Sequence, residues 1–85
     1  YETFKVHDNI IFDMIALDNI NMVASCDKNG IIKLSEITLQ NDLKEKIILN
    51  SNSDGVWGLA SSPSDTKLAT CAEDKTVRIW DLNTV

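Results

Sequence analysis

The amino-acid sequence predicts an all-β protein made of two consecutive copies of one small antiparallel sheet, and three observations lead to this prediction. The chain repeats itself at a fixed offset of 45 residues, so that Ala69-Thr70-Cys71 matches Ala24-Ser25-Cys26 without a gap. Short apolar runs alternate with clusters of turn residues, as in strands joined by tight turns. The runs also carry apolar residues on both faces, which is typical of sheets covered on both sides.

The first unit is expected to contain strands at residues 10–16, 22–26 and 31–37. The polar cluster 18–21 ends the first of these strands. The cluster 27–30 ends the second with Asn-Gly, which is typical of a tight hairpin turn.

The second unit is expected to contain four strands, at residues 44–49, 56–61, 67–72 and 76–82. Residues 3–6 correspond to 48–51 at the repeat offset, so an outer strand is expected there as well. Each sequence unit is therefore an outer strand followed by three inner strands, with unit boundaries at 1–40 and 41–85. A small four-stranded sheet that copies of itself cover on both faces is a propeller blade.

Composition excludes some classes of function and partner. The net charge is −5 and the 8 basic residues are scattered, whereas a nucleic-acid groove needs a clustered basic stripe. No apolar run approaches the roughly 20 residues of a membrane span, so no membrane insertion is expected.

The two cysteines, Cys26 and Cys71, occupy equivalent positions in the two units. Stacked sheets lie about 10 Å apart, which is beyond the reach of a disulfide. We therefore expect two unbridged, buried, small side chains. Unbridged cysteines suit a reducing compartment, so a cytoplasmic or nuclear location is expected.

Residues 54–81 read DGVWGLASSPSDTKLATCAEDKTVRIWD, and this stretch closely resembles a WD repeat of the β-propeller family. Through the repeat offset, the first unit resembles a degenerate copy. The resemblance implies two adjacent four-stranded blades of a larger, seven-bladed ring, with neighbouring blades of the same propeller covering the free faces.

The resemblance also implies a hydrogen-bonded network in each blade, formed by a His, a Ser or Thr, an Asp and a Trp. In the second unit the matching residues are Thr70, Asp74 and Trp80, while Asn52 stands at the His position. We expect this network to be incomplete.

The first unit departs from the pattern at other places. It has His7 and Ser25, but Asn29 stands at the Asp position and Ser35 at the Trp position. We therefore expect that neither blade forms the full network, and that packing against neighbours supplies the missing stability.

Partners in this family dock where the loop before the first inner strand meets the turn after the second. The corresponding residues here are Asp8, Asn9, Lys28, Asp54, Gly55 and Glu73. This polar, slightly acidic edge is expected to prefer polar or basic peptides. We expect Phe12 and Trp57 to be core aromatics rather than a ligand platform.

The resulting functional hypothesis is a non-catalytic scaffold for protein–protein interaction in a multiprotein complex. The alternative is a regulatory or targeting propeller attached to an enzyme in a longer chain. A remote alternative is a calcium-binding loop resembling an EF-hand at 25–36, where Asp27, Asn29 and Glu36 match ligand positions. No catalytic, cofactor-binding or metal-binding residues are otherwise expected.

Overall fold

The structure is a computed structural model that describes residues 3–38, 42–51 and 54–83. The described chain forms strands β1 (Ile11–Leu17), β2 (Met22–Asp27), β3 (Ile31–Ile37), β4 (Leu43–Asn50), β5 (Val56–Ser61), β6 (Lys67–Ala72) and β7 (Val77–Asp81), with a 3-10 turn at Asp18–Ile20. The all-β prediction is confirmed. No helix within these described ranges is long and apolar enough to cross a membrane.

The strands form two antiparallel sheets. The first sheet has the order β1-β2-β3-β4 and the second has the order β5-β6-β7. Strand β4 follows the first unit in the chain, yet it pairs with β3 along the outer edge of the first sheet. The two sheets therefore interlock, because the strand that completes one sheet leads directly into the next.

The outer strand expected at residues 3–6 is wrong. This segment is not a strand, and within the described chain no β-strand pairs with it. It lies instead over the outer face of the first sheet, where Lys33 Nζ donates a hydrogen bond to the Val6 carbonyl at 2.8 Å. A strand needs a partner ladder, and β1 to β7 pair only with one another here.

The hairpin turns of the two units share one backbone shape. The turn between β2 and β3 places Gly30 at φ 82, and the turn between β6 and β7 places Lys75, its equivalent at the repeat offset, at φ 70. Glycine adopts this left-handed conformation without steric cost, whereas a residue with a β-carbon pays about 1 kcal/mol.

The core lies between the sheets, where β5 packs against β1 and β2. The fully buried apolar residues include Ala24, Cys26, Ile32 and Leu34 on the first sheet and Leu68 on the second. Their alternation along the strands places them on the facing sides of the two sheets.

The same face of the second sheet is open. Val77 is 69% exposed and Ile79 is 63% exposed, although their repeat equivalents Ile32 and Leu34 are 0% exposed. Both sheets therefore carry the same apolar face. In the described structure another sheet covers this face on the first sheet, and the face on the second sheet stays open.

Because this face is open, the expectation that both cysteines are buried is wrong for Cys71. Both are free, but only Cys26 is buried, and Cys71 is exposed on the open face. The Cys26 thiol donates to the Val56 carbonyl at 3.2 Å across the sheet interface. Cys71 has no second sheet above it in the described structure.

Substitution of the repeat-equivalent pair Leu34 and Ile79 measures how much the covered face contributes. We expect Leu34→Ala to lower the free energy of unfolding by about 2–5 kcal/mol, because it opens a cavity in the core. The matched change Ile79→Ala should cost less than about 0.5 kcal/mol in this chain, because that side chain is already in water. Urea denaturation measures both values, and equal losses would contradict the two-sheet packing.

Candidate functional site

A buried polar network joins the segment before β1 to strand β2. His7 Nδ1 lies 2.8 Å from Asp27 Oδ2, and His7 Nε2 lies 2.7 Å from Ser25 Oγ. All three residues are buried. Because a carboxylate only accepts, Nδ1 carries a hydrogen, and in the neutral imidazole Nε2 accepts from the Ser25 hydroxyl.

Asp27 was missed by the sequence reasoning, which placed Asn29 at the Asp position. Asp27, at the end of β2, supplies the carboxylate that the first unit was expected to lack. The Trp position is still Ser35, so an incomplete family network remains the expectation for this unit. The second oxygen of Asp27, Oδ1, accepts the backbone N–H groups of Asn29 at 2.8 Å and Ile31 at 3.1 Å. The spacing of Ser25 and Asp27 could have indicated this carboxylate, because residues two apart on a strand lie on the same face of the sheet.

The described residues of the second unit form one part of such a network. Trp80 Nε1 donates to Thr70 Oγ1 at 3.2 Å, so the structure brings these two predicted residues together. The repeat equivalent of Asp27 is Ala72, which has no polar side chain. The His position, Asn52, lies outside the described residues.

No hydrogen bond joins Asp74 to the Thr70–Trp80 pair directly among the described residues. The corresponding link in the first unit runs through His7, and the matching position, Asn52, is not described, so the network role of Asp74 stays a prediction.

The Asp74 carboxylate accepts hydrogen bonds from the Thr76 hydroxyl and from Arg78 Nη2, at 2.5 and 3.3 Å. The hydrogen bond from Thr76 is the main cause that lowers the pKa of Asp74 below its ordinary value. Asp74 therefore organises its own turn.

The segment 25–36, considered as a calcium loop, is a β-hairpin flanked by strands rather than helices. Both carboxylate oxygens of Asp27 are engaged by His7 and the turn. Within the part of the chain that the structure describes, no three metal-ligating side chains cluster. The network's role is structural, because it fastens the entering loop to β2 and its turn.

The predicted partner edge lies where the loops before β1 and β5 meet the hairpin turns. In the first unit Lys28 N donates to the Ile10 carbonyl at 3.0 Å, and in the second Glu73 N donates to the Gly55 carbonyl at 2.9 Å. These two bonds are equivalent at the repeat offset. Each one holds the loop that enters an inner strand against the turn of the same unit.

The two halves of the edge meet at Gly55, which is buried. A β-carbon there would lie 3.1 Å from the Lys28 carbonyl oxygen and 3.5 Å from both Glu73 Oε2 and Phe12 Cε2. The structure therefore brings Lys28, Gly55 and Glu73 together from both units. A β-carbon at position 55 would require the Lys28 carbonyl to move by a few tenths of an ångström.

The remaining predicted edge residues are on the entering loops. Asp8, Asn9 and Asp54 are exposed, and Asp8 Oδ1 lies 3.9 Å from Lys5 Nζ. They lie on the same loops that the two loop–turn bonds hold against the hairpin turns. Asp54 is adjacent to Gly55 in the chain.

The expectation that Phe12 and Trp57 are both core aromatics is wrong for Trp57, which is 56% exposed. Each residue sits at a β-bulge, where the pairing register shifts between Ile11 and Asp13 or between Val56 and Gly58. A bulge re-aims the extra side chain away from the sheet face. The two rings stack with centroids 4.8 Å apart and an interplanar angle of 19°.

The chain is similar to known proteins both at the level of a family and at the level of individual relatives. The family model described as WD domain, G-beta repeat matches residues 43–81. The chain is 33% identical over 78 residues to DDB1- and CUL4-associated factor 13 of Dictyostelium discoideum, which is 91% of this chain and 17% of that protein.

Two further relatives match over different lengths. Polyadenylation factor subunit 2 of Candida albicans is 29% identical over 84 residues, 98% of this chain and 15% of that protein. Human Striatin-4 is 56% identical over 34 residues, 40% of this chain and 4% of that protein. The chain spans less than a fifth of the length of each of these three relatives.

Removal of the Asp27 carboxylate tests the buried network. We expect Asp27→Ala to lower the free energy of unfolding by about 1.5–3 kcal/mol, because it leaves His7 and the turn N–H groups without their charged acceptor. Asp27→Asn should recover part of the loss by keeping one acceptor oxygen. The exposed control Asp8→Ala should change stability by less than about 0.5 kcal/mol. Urea denaturation measures all three, and an unaltered midpoint for Asp27→Ala would rule the network out.

The two thiols should differ in reactivity towards a maleimide in the 85-residue chain at pH 7.5. Burial raises the pKa of Cys26 to about 11, and the nearby Asp13 carboxylate adds to this shift. Because the thiolate is the nucleophile, Cys26 should stay unmodified until the chain unfolds, while the exposed Cys71 reacts. Mass spectrometry with and without urea gives the site of labelling. Modification of Cys26 at the rate of Cys71 in the folded chain would contradict the sheet interface.

Proposed function

We propose that this chain, which carries a WD repeat of the G-beta type at residues 43–81, is part of a non-catalytic scaffold that binds other proteins. The observation that supports this proposal is the meeting of both units at Gly55. Two equivalent loop–turn bonds and one shared contact point make a continuous, exposed edge from separate repeats. The exposed loop and turn residues of this edge are accessible to a peptide or a loop of another protein.

The chemistry of the edge favours a polar or basic partner. Asp54 and Glu73 are exposed, and among residues 3–38, 42–51 and 54–83 neither carboxylate forms an ion pair or a hydrogen bond. Exposed carboxylates attract cations and steer their approach. The chain's net charge of −5 acts in the same direction and disfavours nucleic acid as a direct partner.

The open faces of the sheets are a second kind of binding surface, and we assign them to neighbouring blades of the same propeller. The face that carries Val77 and Ile79 repeats the face that Ile32 and Leu34 bury against the second sheet. A further copy of the repeated sheet would cover it in the same manner.

In the intact protein, Ile79→Ala should then lower the free energy of unfolding as much as Leu34→Ala does.

The names of two relatives support a role within complexes, since one is called a factor subunit and the other an associated factor. The free thiols Cys26 and Cys71 support a reducing location, in the cytoplasm or the nucleus. The proposal therefore places this chain in a multiprotein complex in the cytoplasm or the nucleus.

Reversal of charge on the edge tests the proposed binding role. In the intact protein, Asp54→Lys with Glu73→Lys should reduce the recovery of bound proteins at least threefold, because it repels a basic segment. Affinity purification followed by quantitative mass spectrometry measures this recovery against wild type.

The control variant is Asp18→Lys, on the exposed turn at the opposite end of β1. It changes the charge of the chain without touching the edge, so recovery of partners should stay at the wild-type level. If all partners are recovered equally from the double variant and wild type, the edge is not the binding site.

A further inference from the structure

The rings of Phe12 and Trp57 stack on each other beside the proposed binding edge, and the binding role described above assigns them no contact with a partner. Large aromatic side chains are seldom left in water, because burying one contributes several kcal/mol. Trp57 is nevertheless 56% exposed, and its indole is the outer ring of the stack. The bulge between Val56 and Gly58 directs it out of the ladder, so this exposure is built into the backbone.

Phe12 supports the indole from beneath and connects it to the acidic part of the edge. The Phe12 ring and the Glu73 carboxylate each lie 3.5 Å from the position that a β-carbon would take at Gly55. The aromatic pair and a carboxylate are thus neighbours around one glycine. Asp54, which precedes Gly55 in the chain, is a second exposed carboxylate next to this glycine.

We propose that the Phe12–Trp57 stack receives an arginine side chain of the partner, with Glu73 or Asp54 accepting its N–H groups. This rests on the proposed function, because it identifies the anchor point of the same edge. A guanidinium is planar and weakly hydrated, so it can lie on the indole face while its N–H donors point sideways to a carboxylate.

Other side chains fit the arrangement less well. A lysine ammonium is a strongly hydrated point charge that gains attraction from the carboxylates but lies less well on a flat ring. An acidic side chain would meet Asp54 and Glu73. Lys28 and Lys75, on the two turns, partly offset the attraction of the carboxylates for any cation. The preference for arginine over lysine therefore comes from stacking and directed hydrogen bonds.

The test uses the intact protein and a fluorescein-labelled peptide of alternating arginine and glycine. A matched peptide has lysine in place of arginine, and fluorescence anisotropy at physiological salt measures both affinities. The arginine peptide should bind at least threefold more tightly than the lysine peptide. Equal affinities for wild type would overturn the proposal.

Variants assign the effect to its residues. Trp57→Ala should weaken the arginine peptide by about three- to tenfold and remove the preference over lysine. Trp57→Phe keeps an aromatic face, so it should retain part of the preference and exclude a simple folding defect. Glu73→Gln should weaken both peptides. Ile20→Ala, at the far end of β1, is the apolar control and should alter neither affinity.

The outcomes separate this proposal from the binding role on which it rests. If the charge-reversed edge loses its partners but Trp57→Ala keeps both partners and peptide, the edge is correct and the arginine anchor is wrong. If neither variant affects partner recovery, both are wrong. An unchanged arginine preference in Trp57→Ala overturns the anchor in every case.

Discussion

Burial of one face of the first sheet against the second, through Cys26, Ile32 and Leu34, is the contact from which the remaining features follow. Each of these side chains contributes roughly 1.5–3 kcal/mol when removed from water, so a few of them equal a large share of a small domain's stability. A lone sheet of three or four strands with two apolar faces lacks that contribution. A sheet of this kind is therefore stable only when another sheet covers its apolar face.

Apolar packing is not directional, and polar bonds across the interface fix how the sheets are oriented. Asp13 Oδ2 accepts the backbone N–H of Leu59 at 3.0 Å, and Asp65 Oδ2 accepts that of Asn19 at 2.8 Å. The repeat equivalent of Asp13 is Gly58, where a β-carbon would already lie 3.1 Å from the Cys71 sulfur. The second sheet cannot offer the same bond onward.

The strands were largely predictable because turn residues flank them. Strands β3, β5 and β6 have the predicted bounds, and the match of the second unit to the WD repeat confirms the resemblance. The strand expected at residues 3–6 failed for a different reason. The sequence pattern reports a strand's propensity, whereas a strand forms only where a neighbouring ladder is available.

The site was less predictable, since its geometry depends on where the backbone departs from regular pairing. A bulge changes the direction of a single side chain, so alternation along the strand could not place Phe12 or Trp57 correctly. The family motif pointed to position 29 for the carboxylate, whereas the strand face that Asp27 shares with Ser25 indicates Asp27. The chemistry requires only a carboxylate within reach of His7, and the end of β2 provides it.

Among the described residues the degenerate first unit holds the fuller polar network, while the near-consensus second unit has Ala72 at the repeat equivalent of Asp27. This distribution follows from what each network must fasten. In the first unit His7 and Asp27 secure the loop that enters β1, together with the hairpin turn next to it. In the second unit the shared contact at Gly55 holds the corresponding turn against the first unit. The edge is therefore held on one side by the buried polar network and on the other by the Glu73–Gly55 backbone bond and close packing, and the stacked rings lie at the boundary where the two meet.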